Sequence, residues 1–127
     1  MQHIPHQAPW LLVDRVIERG PDHVRAVKRL TTNDPLGIEG LAESLLIEAL
    51  AQTAACLQAG ELGAHRGYLV AAAKFEFHGR AQVGDTLTLT AIRSARLGAL
   101  VRFEGEATVE GRVLARGELT FSVEAVA

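Results

Sequence analysis

Alternating apolar and polar positions along most of this chain predict β-strands, and one apolar stretch predicts a helix. Leu11–Ile17 and Val24–Leu30 have strand-like patterns, and the turn-forming Gly20-Pro21-Asp22 between them predicts a hairpin. Leu41–Ala59 contains only good or near-neutral helix formers, so we predict a helix that ends before Gly60. Because this helix is apolar almost all round, most of its sides must be buried.

Four further strands are predicted after the helix. Tyr68–Phe77 is the first and Asp85–Ile92 the second, with His65 expected in the loop that precedes them. The stretches 101–109 and 113–123 alternate apolar residues on one side with mostly polar residues on the other. One apolar and one polar face predict a single antiparallel sheet. We therefore predict one α+β domain over residues 1–127, with one long central helix wrapped by a curved antiparallel sheet of about five to six strands.

The composition narrows the classes of function. The chain has 127 residues and a formal net charge of −2, and its 13 Lys and Arg residues are scattered among 15 acidic ones, so we expect no nucleic-acid partner. Glu43, Glu48 and Gln52 make the apolar stretch too polar for a membrane span. A lone Cys56 excludes an internal disulfide, and the start of the chain lacks a signal-peptide pattern. We expect a cytoplasmic protein.

Three polar residues form a single stripe on the otherwise apolar helix. Ser44, Glu48 and Gln52 are spaced at i, i+4 and i+8. A carboxylate withdrawn from water is costly unless it is paired or protonated, and a carboxyl group held near neutrality can exchange a proton during catalysis. Glu48 is therefore the leading catalytic candidate. The alternatives are a structural hydrogen bond within a dimer interface, or a helix side that faces water.

Two blocks of the chain carry a family signature. Pro5–Val16, with the sequence PHQAPWLLVDRV, is similar to the PHRxPFLLVDRV opening of 3-hydroxyacyl-[acyl carrier protein] dehydratases of the FabZ type. Leu46–Gln52, with the sequence LIEALAQ, resembles the LIIEALAQ helix of the same family. Weaker matches at Tyr68–Val70, Gly84–Leu87 and Ala115–Phe121 follow in the family's order, so the resemblance covers nearly the whole chain. It implies the hot-dog fold.

The resemblance also implies a substrate and a mechanism. The substrate would be a 3-hydroxyacyl thioester on the phosphopantetheine of acyl carrier protein, in fatty-acid or polyketide and polyene pathways, or on coenzyme A. No other cofactor is implied. In similar enzymes a histidine removes the C2 proton and a helix glutamate of the other subunit protonates the leaving hydroxyl; Glu48 matches that glutamate. The substrate-binding candidates along the acyl path are Ser44, Gln52, Leu45, Ala71 and Phe77.

The family histidine has no counterpart in this sequence. It belongs to a GHFPGxPVMPG segment, whereas the chain between Asn33 and Ser44 is shorter and contains no histidine. Loss of a general base typically costs about 10²- to 10⁴-fold in rate. Asp34 is a weak candidate for the second catalytic group, although an Asp-Pro helix cap is the simpler interpretation. His78 either contacts a phosphate of the carrier or is a solvated strand end, and no pair of histidines has the spacing of metal ligands.

Three functions agree with these observations. The first is a divergent FabZ-like hydro-lyase that uses Glu48 and a second group such as Asp34. The second is a hot-dog acyl thioesterase, in which Glu48 alone acts as base or nucleophile. The third is a non-catalytic or half-catalytic subunit of a heteromeric dehydratase, in which a heterodimer with a His-bearing homologue contains one working site. For all three functions we expect at least a dimer, because the sheet leaves part of the apolar helix uncovered. For the hydro-lyase and the thioesterase, a larger homo-oligomer is the alternative.

Overall fold

The structure is a computed structural model, which describes residues 13–31, 43–61 and 65–125. They form two strands, one helix and four more strands, and this order matches the sequence prediction. The elements are β1 (Arg15–Arg19), β2 (His23–Arg29), α1 (Glu43–Glu61), β3 (His65–Phe77), β4 (Thr86–Leu97), β5 (Leu100–Val109) and β6 (Arg112–Ala125). Within these ranges, no helix is both long and apolar enough to cross a membrane.

All six strands belong to one antiparallel sheet with the order β1-β2-β4-β5-β6-β3. Strand β3 therefore forms one edge of the sheet and β1 the other. The helix α1 packs against β2 and β4 and also against β3, so the sheet curls around it. One long helix wrapped by a curved antiparallel sheet is the arrangement predicted from the sequence, an α+β hot-dog fold.

One face of the sheet packs on the helix and supplies most of the core. The alternation predicted for β5 is confirmed, because Val101, Phe103 and Ala107 are fully buried while Arg102 and Glu104 are exposed. Phe103 meets Phe121 of β6 edge to face, with ring centroids 5.7 Å apart. Such aromatic pairs stabilise a core beyond the area that they bury. The opposite face of the sheet carries most of its polar side chains.

The helix buries one complete side in this core. Leu46, Leu50 and Leu57 are nearly inaccessible to solvent. Thr53 lies among them, and its hydroxyl donates to the backbone carbonyl of Ala49 at 2.9 Å, which satisfies the polar group. Ala51, Gln52 and Ala54 lie on other sides of the helix and are buried as well, so the prediction of a mostly buried helix is correct.

Three local predictions were wrong. The helix continues through Gly60 to Glu61, because one glycine costs only about 1 kcal/mol, which the rest of a long helix can offset. His65 is the first residue of β3 rather than a loop residue, because β6 is long enough to pair with it at Ala125. In β6 the predicted alternation fails at Leu114, which is fully buried. Val113 pairs with Thr108 and Ala115 pairs with Ala107, so Leu114 is the extra residue of a β-bulge.

Candidate functional site

Ser44, Glu48 and Gln52 lie on the side of α1 that is turned away from Leu46 and Leu50. Their burial increases along the helix: Ser44 is exposed, Glu48 is half-buried and Gln52 is only 4% exposed. The predicted stripe therefore exists. It runs from solvent at the helix start into the protein interior.

The two inner members of the stripe interact directly. Nε2 of Gln52 donates to Oε2 of Glu48 over 3.4 Å, which is a long hydrogen bond. An amide donor one turn along the helix favours one orientation of the carboxyl group. Because the group is only half-buried, it can exchange protons with a molecule bound beside the helix while part of its surroundings stays dry.

The other substrate-binding candidates belong to the helix and to β3. Leu45 and Phe77 are both half-buried and pack against the hydrophobic core, on α1 and near the end of β3 respectively. Ala71 is exposed on β3 next to an irregularity in its pairing with β6. Their contact with substrate stays a prediction.

The second catalytic candidate, Asp34, lies outside the described residues. Among those that are described, His78 follows the end of β3 and has a half-exposed ring, whose Nε2 lies 3.3 Å from a carboxylate oxygen of Glu76. Cys56 is half-buried on the helix, and burial raises the pKa of its thiol, with a smaller opposing effect of Arg19. A thiol of this kind is a packing residue rather than a nucleophile.

Sequence reasoning missed a buried charge and an aromatic side chain. Lys28 of β2 is 7% exposed, and its amine lies 3.5 Å from a carboxylate oxygen of Asp14. Its place among alternating apolar residues of β2 was the available signal, since a charge there requires a partner. Phe75 of β3 packs half-buried against the core and stacks on Phe77 at 5.9 Å. A bulge, which the sequence pattern did not reveal, turns Phe75 inward.

Over most of its length, the sequence of this chain is similar to those of dehydratases. FabZ 3-hydroxyacyl-[acyl-carrier-protein] dehydratase of Streptococcus pyogenes serotype M5 (strain Manfredo) is 38% identical over 129 residues, which cover 94% of this chain and 91% of that protein. The FabZ dehydratase of Streptococcus uberis is also 38% identical, with the same coverage.

Solved structures share the architecture at low sequence identity. The dehydratase heterocomplex ApeI:P from Xenorhabdus doucetiae superposes with a TM-score of 0.79 at 22% identity, over 93% of this chain and 86% of that one. A hypothetical thioesterase with coenzyme A from Streptococcus pneumoniae TIGR4 superposes with a TM-score of 0.74 at 15% identity, over 88% and 86%. These two likenesses establish the fold alone. The model of the ApeP-like family, described as ApeP dehydratase, matches residues 1–125, so the chain belongs to this family of FabZ-like hot-dog dehydratases.

Proposed function

We propose that this chain is a hydro-lyase that acts on a 3-hydroxyacyl thioester carried by acyl carrier protein, with Glu48 as the group that protonates the leaving oxygen. The observation that carries the proposal is the half-buried carboxyl group of Glu48, held by Gln52 on the outward side of the helix. The names of the FabZ relatives supply the substrate class, and the family match over residues 1–125 supports the reaction type.

The proposed reaction needs two proton transfers. A base removes the proton from C2 of the substrate, and the electron pair of the C–H bond becomes the C2–C3 double bond. The bond between C3 and the hydroxyl oxygen breaks, and the carboxylic acid of Glu48 delivers a proton to that oxygen, so that water leaves. Glu48 therefore ends as a carboxylate and must be reprotonated before the next turnover. The phosphopantetheine arm belongs to the substrate, and the proposed reaction requires no other cofactor.

The base comes from a second chain in this proposal. The segment of the sequence between Asn33 and Ser44 contains no histidine that could fill the role. A heteromer with a His-bearing homologue would combine that homologue's histidine with Glu48 of this chain. The solved neighbour from Xenorhabdus doucetiae is described as a heterocomplex of dehydratases, which supports such a pairing.

The proposed contact between chains uses the free side of β3. This strand ends the order of the described sheet, and residues 69–74 along it are all exposed. Leu69 and Val70 are 38% and 55% exposed, and three alanines follow them. An uncovered apolar edge strand favours pairing with another chain. We place this dimer, or a larger oligomer, in the cytoplasm, in agreement with the lone Cys56.

Hydration of a 2-enoyl thioester, the reverse reaction, tests the function. This chain is mixed with a His-bearing homologue whose own helix glutamate has been replaced by glutamine, so that activity in the mixture requires Glu48. We expect hydration by the mixture, and a loss of about 10²- to 10⁴-fold when Glu48→Gln is introduced into this chain. Glu43→Gln is the matched control, because Glu43 is an exposed glutamate in the first turn of the same helix.

Two results would contradict the proposal. One is equal hydration by mixtures that contain the Glu48→Gln chain and the unchanged chain. The other is release of free thiol from saturated acyl thioesters without any hydration of enoyl thioesters, which would indicate a thioesterase instead. Hydration by this chain without a partner would leave the role of Glu48 intact but would show that the base lies within this sequence.

A further inference from the structure

Two glycines leave part of the helix-facing side of the sheet without side chains. Gly105 of β5 and Gly117 of β6 are direct partners in the sheet, and both are buried. A methyl group at position 105 would lie 3.4 Å from Cδ1 of Leu50, which is ordinary contact with the helix. A methyl group at position 117 would overlap the ring of Phe75. The ring of Phe75 therefore occupies the space that a side chain at 117 would need.

A bulge in the edge strand β3 directs Phe75 into this space. Ala73 pairs with Glu118 and Glu76 pairs with Arg116, so Lys74 and Phe75 together lie opposite Gly117. Lys74 has a φ of 58°, which is the left-handed region that a residue with a side chain rarely adopts. If the alternation of β3 continued unbroken from Ala73, Lys74 would face the helix and Phe75 would face outward. The bulge reverses the sides of these two residues.

The two side chains show the result of this exchange. The amine of Lys74 lies on the outer face, 3.9 Å from a carboxylate oxygen of Glu118, and its side chain is 77% exposed. Phe75 lies inside and stacks on Phe77 at an interplanar angle of 21°. Phe75 is nevertheless only half-buried, because its strand is the edge of the sheet. The ring thus lies between the edge of the described sheet and Gly117.

Resting on the dehydratase function proposed above, we propose that Phe75 is a specificity-determining residue, whose ring over Gly117 blocks long acyl chains. An acyl chain that runs between α1 and the β3 edge meets this ring before it reaches Gly117. A smaller residue at position 75 opens the space over Gly117, because all the atoms nearest to a methyl group placed there belong to Phe75. The chain is therefore built for short or medium acyl groups.

Acyl-length profiles of Phe75→Ala test the proposal. The hydration assay described above is run with enoyl thioesters of about 4 to 12 carbons, with the unchanged chain and the variant. We expect the variant to raise the ratio of long-chain to short-chain kcat/KM by about 10-fold or more, since a single methylene in an apolar pocket gives discrimination of about 10- to 200-fold. Adding Gly117→Ala to Phe75→Ala returns a methyl group to the path and should lower the ratio again.

Phe103→Leu is the matched control. It also removes an aromatic ring from the core, but Phe103 is fully buried and lies against Phe121 rather than at the edge. We expect it to lower the melting temperature and leave the acyl-length profile unchanged. A second measurement is the rise in melting temperature of this chain with saturated acyl-coenzyme A of the same lengths, which requires no partner and no turnover.

The outcomes separate this proposal from the function on which it rests. Activity with the same acyl-length profile for Phe75→Ala, Phe103→Leu and the unchanged chain would overturn the role of Phe75 and leave the dehydratase function standing. Long-chain acyl-coenzyme A that raises the melting temperature of Phe75→Ala but not that of the unchanged chain supports the role of Phe75. This result does not depend on turnover. A chain that neither hydrates nor binds any acyl thioester would overturn both.

Discussion

The side chains of Gln52 and Glu48 meet one helical turn apart, with Nε2 of Gln52 lying 3.4 Å from Oε2 of Glu48. Gln52 is almost completely buried, whereas Glu48 is half-buried. The amide group therefore lies in the interior, and the carboxyl group lies at the boundary with solvent. This arrangement restrains the carboxyl group through an amide that is itself held in the interior.

Replacing Gln52 by Leu should lower activity through Glu48. The change places an apolar side chain of similar size in this buried position and removes the donor. The donor stabilises the carboxylate that forms as Glu48 gives up its proton. Hydrogen bonds to charged groups contribute about 1.5 to 3 kcal/mol, so we expect kcat/KM in the mixed hydration assay to fall by about 10- to 100-fold. Thr53→Val is the control. It also removes a buried hydrogen bond of the helix, the one from Thr53 to the backbone carbonyl of Ala49, but Thr53 faces the core rather than Glu48. It should reduce stability and leave kcat/KM unchanged; equal effects of both changes on kcat/KM would contradict the prediction.

The two facing glycines should respond differently to an added methyl group. Gly117→Ala forces the ring of Phe75 to move, so we expect it to lower the free energy of unfolding by about 1 to 3 kcal/mol. The methyl group of Gly105→Ala makes only ordinary contacts with Leu50 and Leu119, so this change should alter the free energy of unfolding by less than about 1 kcal/mol. Chemical denaturation of the two variants measures the difference. The same loss at both positions would mean that the ring of Phe75 does not fill the space above Gly117.

The carboxyl group of Glu18 should titrate below its ordinary pKa. A hydrogen bond with His23 is the main cause of the lowered pKa, and the charge of Arg25 adds to it. Oε2 of Glu18 lies 2.7 Å from the His23 ring, and Oε1 lies 2.9 Å from the Arg25 guanidinium. A lowered carboxyl pKa stabilises the fold above the ordinary value of 4.5, and this contribution disappears as the pH falls through the lower, folded-state pKa.

NMR titration of the Glu18 carboxyl carbon measures this pKa directly. In His23→Gln, the charge on the ring is absent and its hydrogen bond is altered, so we expect the pKa of Glu18 to rise toward 4.5. Melting temperatures recorded from about pH 6 to about pH 3 should show the stabilising effect of Glu18, relative to Glu18→Gln, shrinking toward zero. An unchanged Glu18 pKa in the His23 variant would show that the pair does not form in solution.

A charge on the open edge of the sheet should prevent association. Val70 of β3 and Ile92 of β4 are similarly exposed, at 55% and 50%, but Val70 is on the edge strand and Ile92 is on an interior strand. We expect Val70→Asp to convert the proposed dimer to a monomer in light scattering, because a buried, unpaired carboxylate at the contact is costly. Ile92→Asp should leave the mass unchanged. If only Ile92→Asp caused dissociation, the contact between chains would lie on the outer face of the sheet rather than at β3.

The sequence by itself determined the element order, the α+β class and the side of each central strand that is buried. These features follow from local periodicity, since residues two apart in a strand share a face and residues four apart in a helix share a side. The same periodicity placed Ser44, Glu48 and Gln52 in one stripe. Motifs in the first and the helical blocks were sufficient to predict the dehydratase family, which the full-length match confirms.

The tertiary structure alone decided which residues depart from that periodicity. The bulge that turns Phe75 inward depends on Lys74 adopting a left-handed backbone, and nothing in the neighbouring residues requires it. The space for the ring exists because Gly117 lies opposite, about 40 positions further along the chain. The graded burial of Glu48 and Gln52 likewise depends on which segments cover the outward side of the helix. Such long-range packing is invisible to a pattern of neighbours, because it is fixed only when distant strands meet.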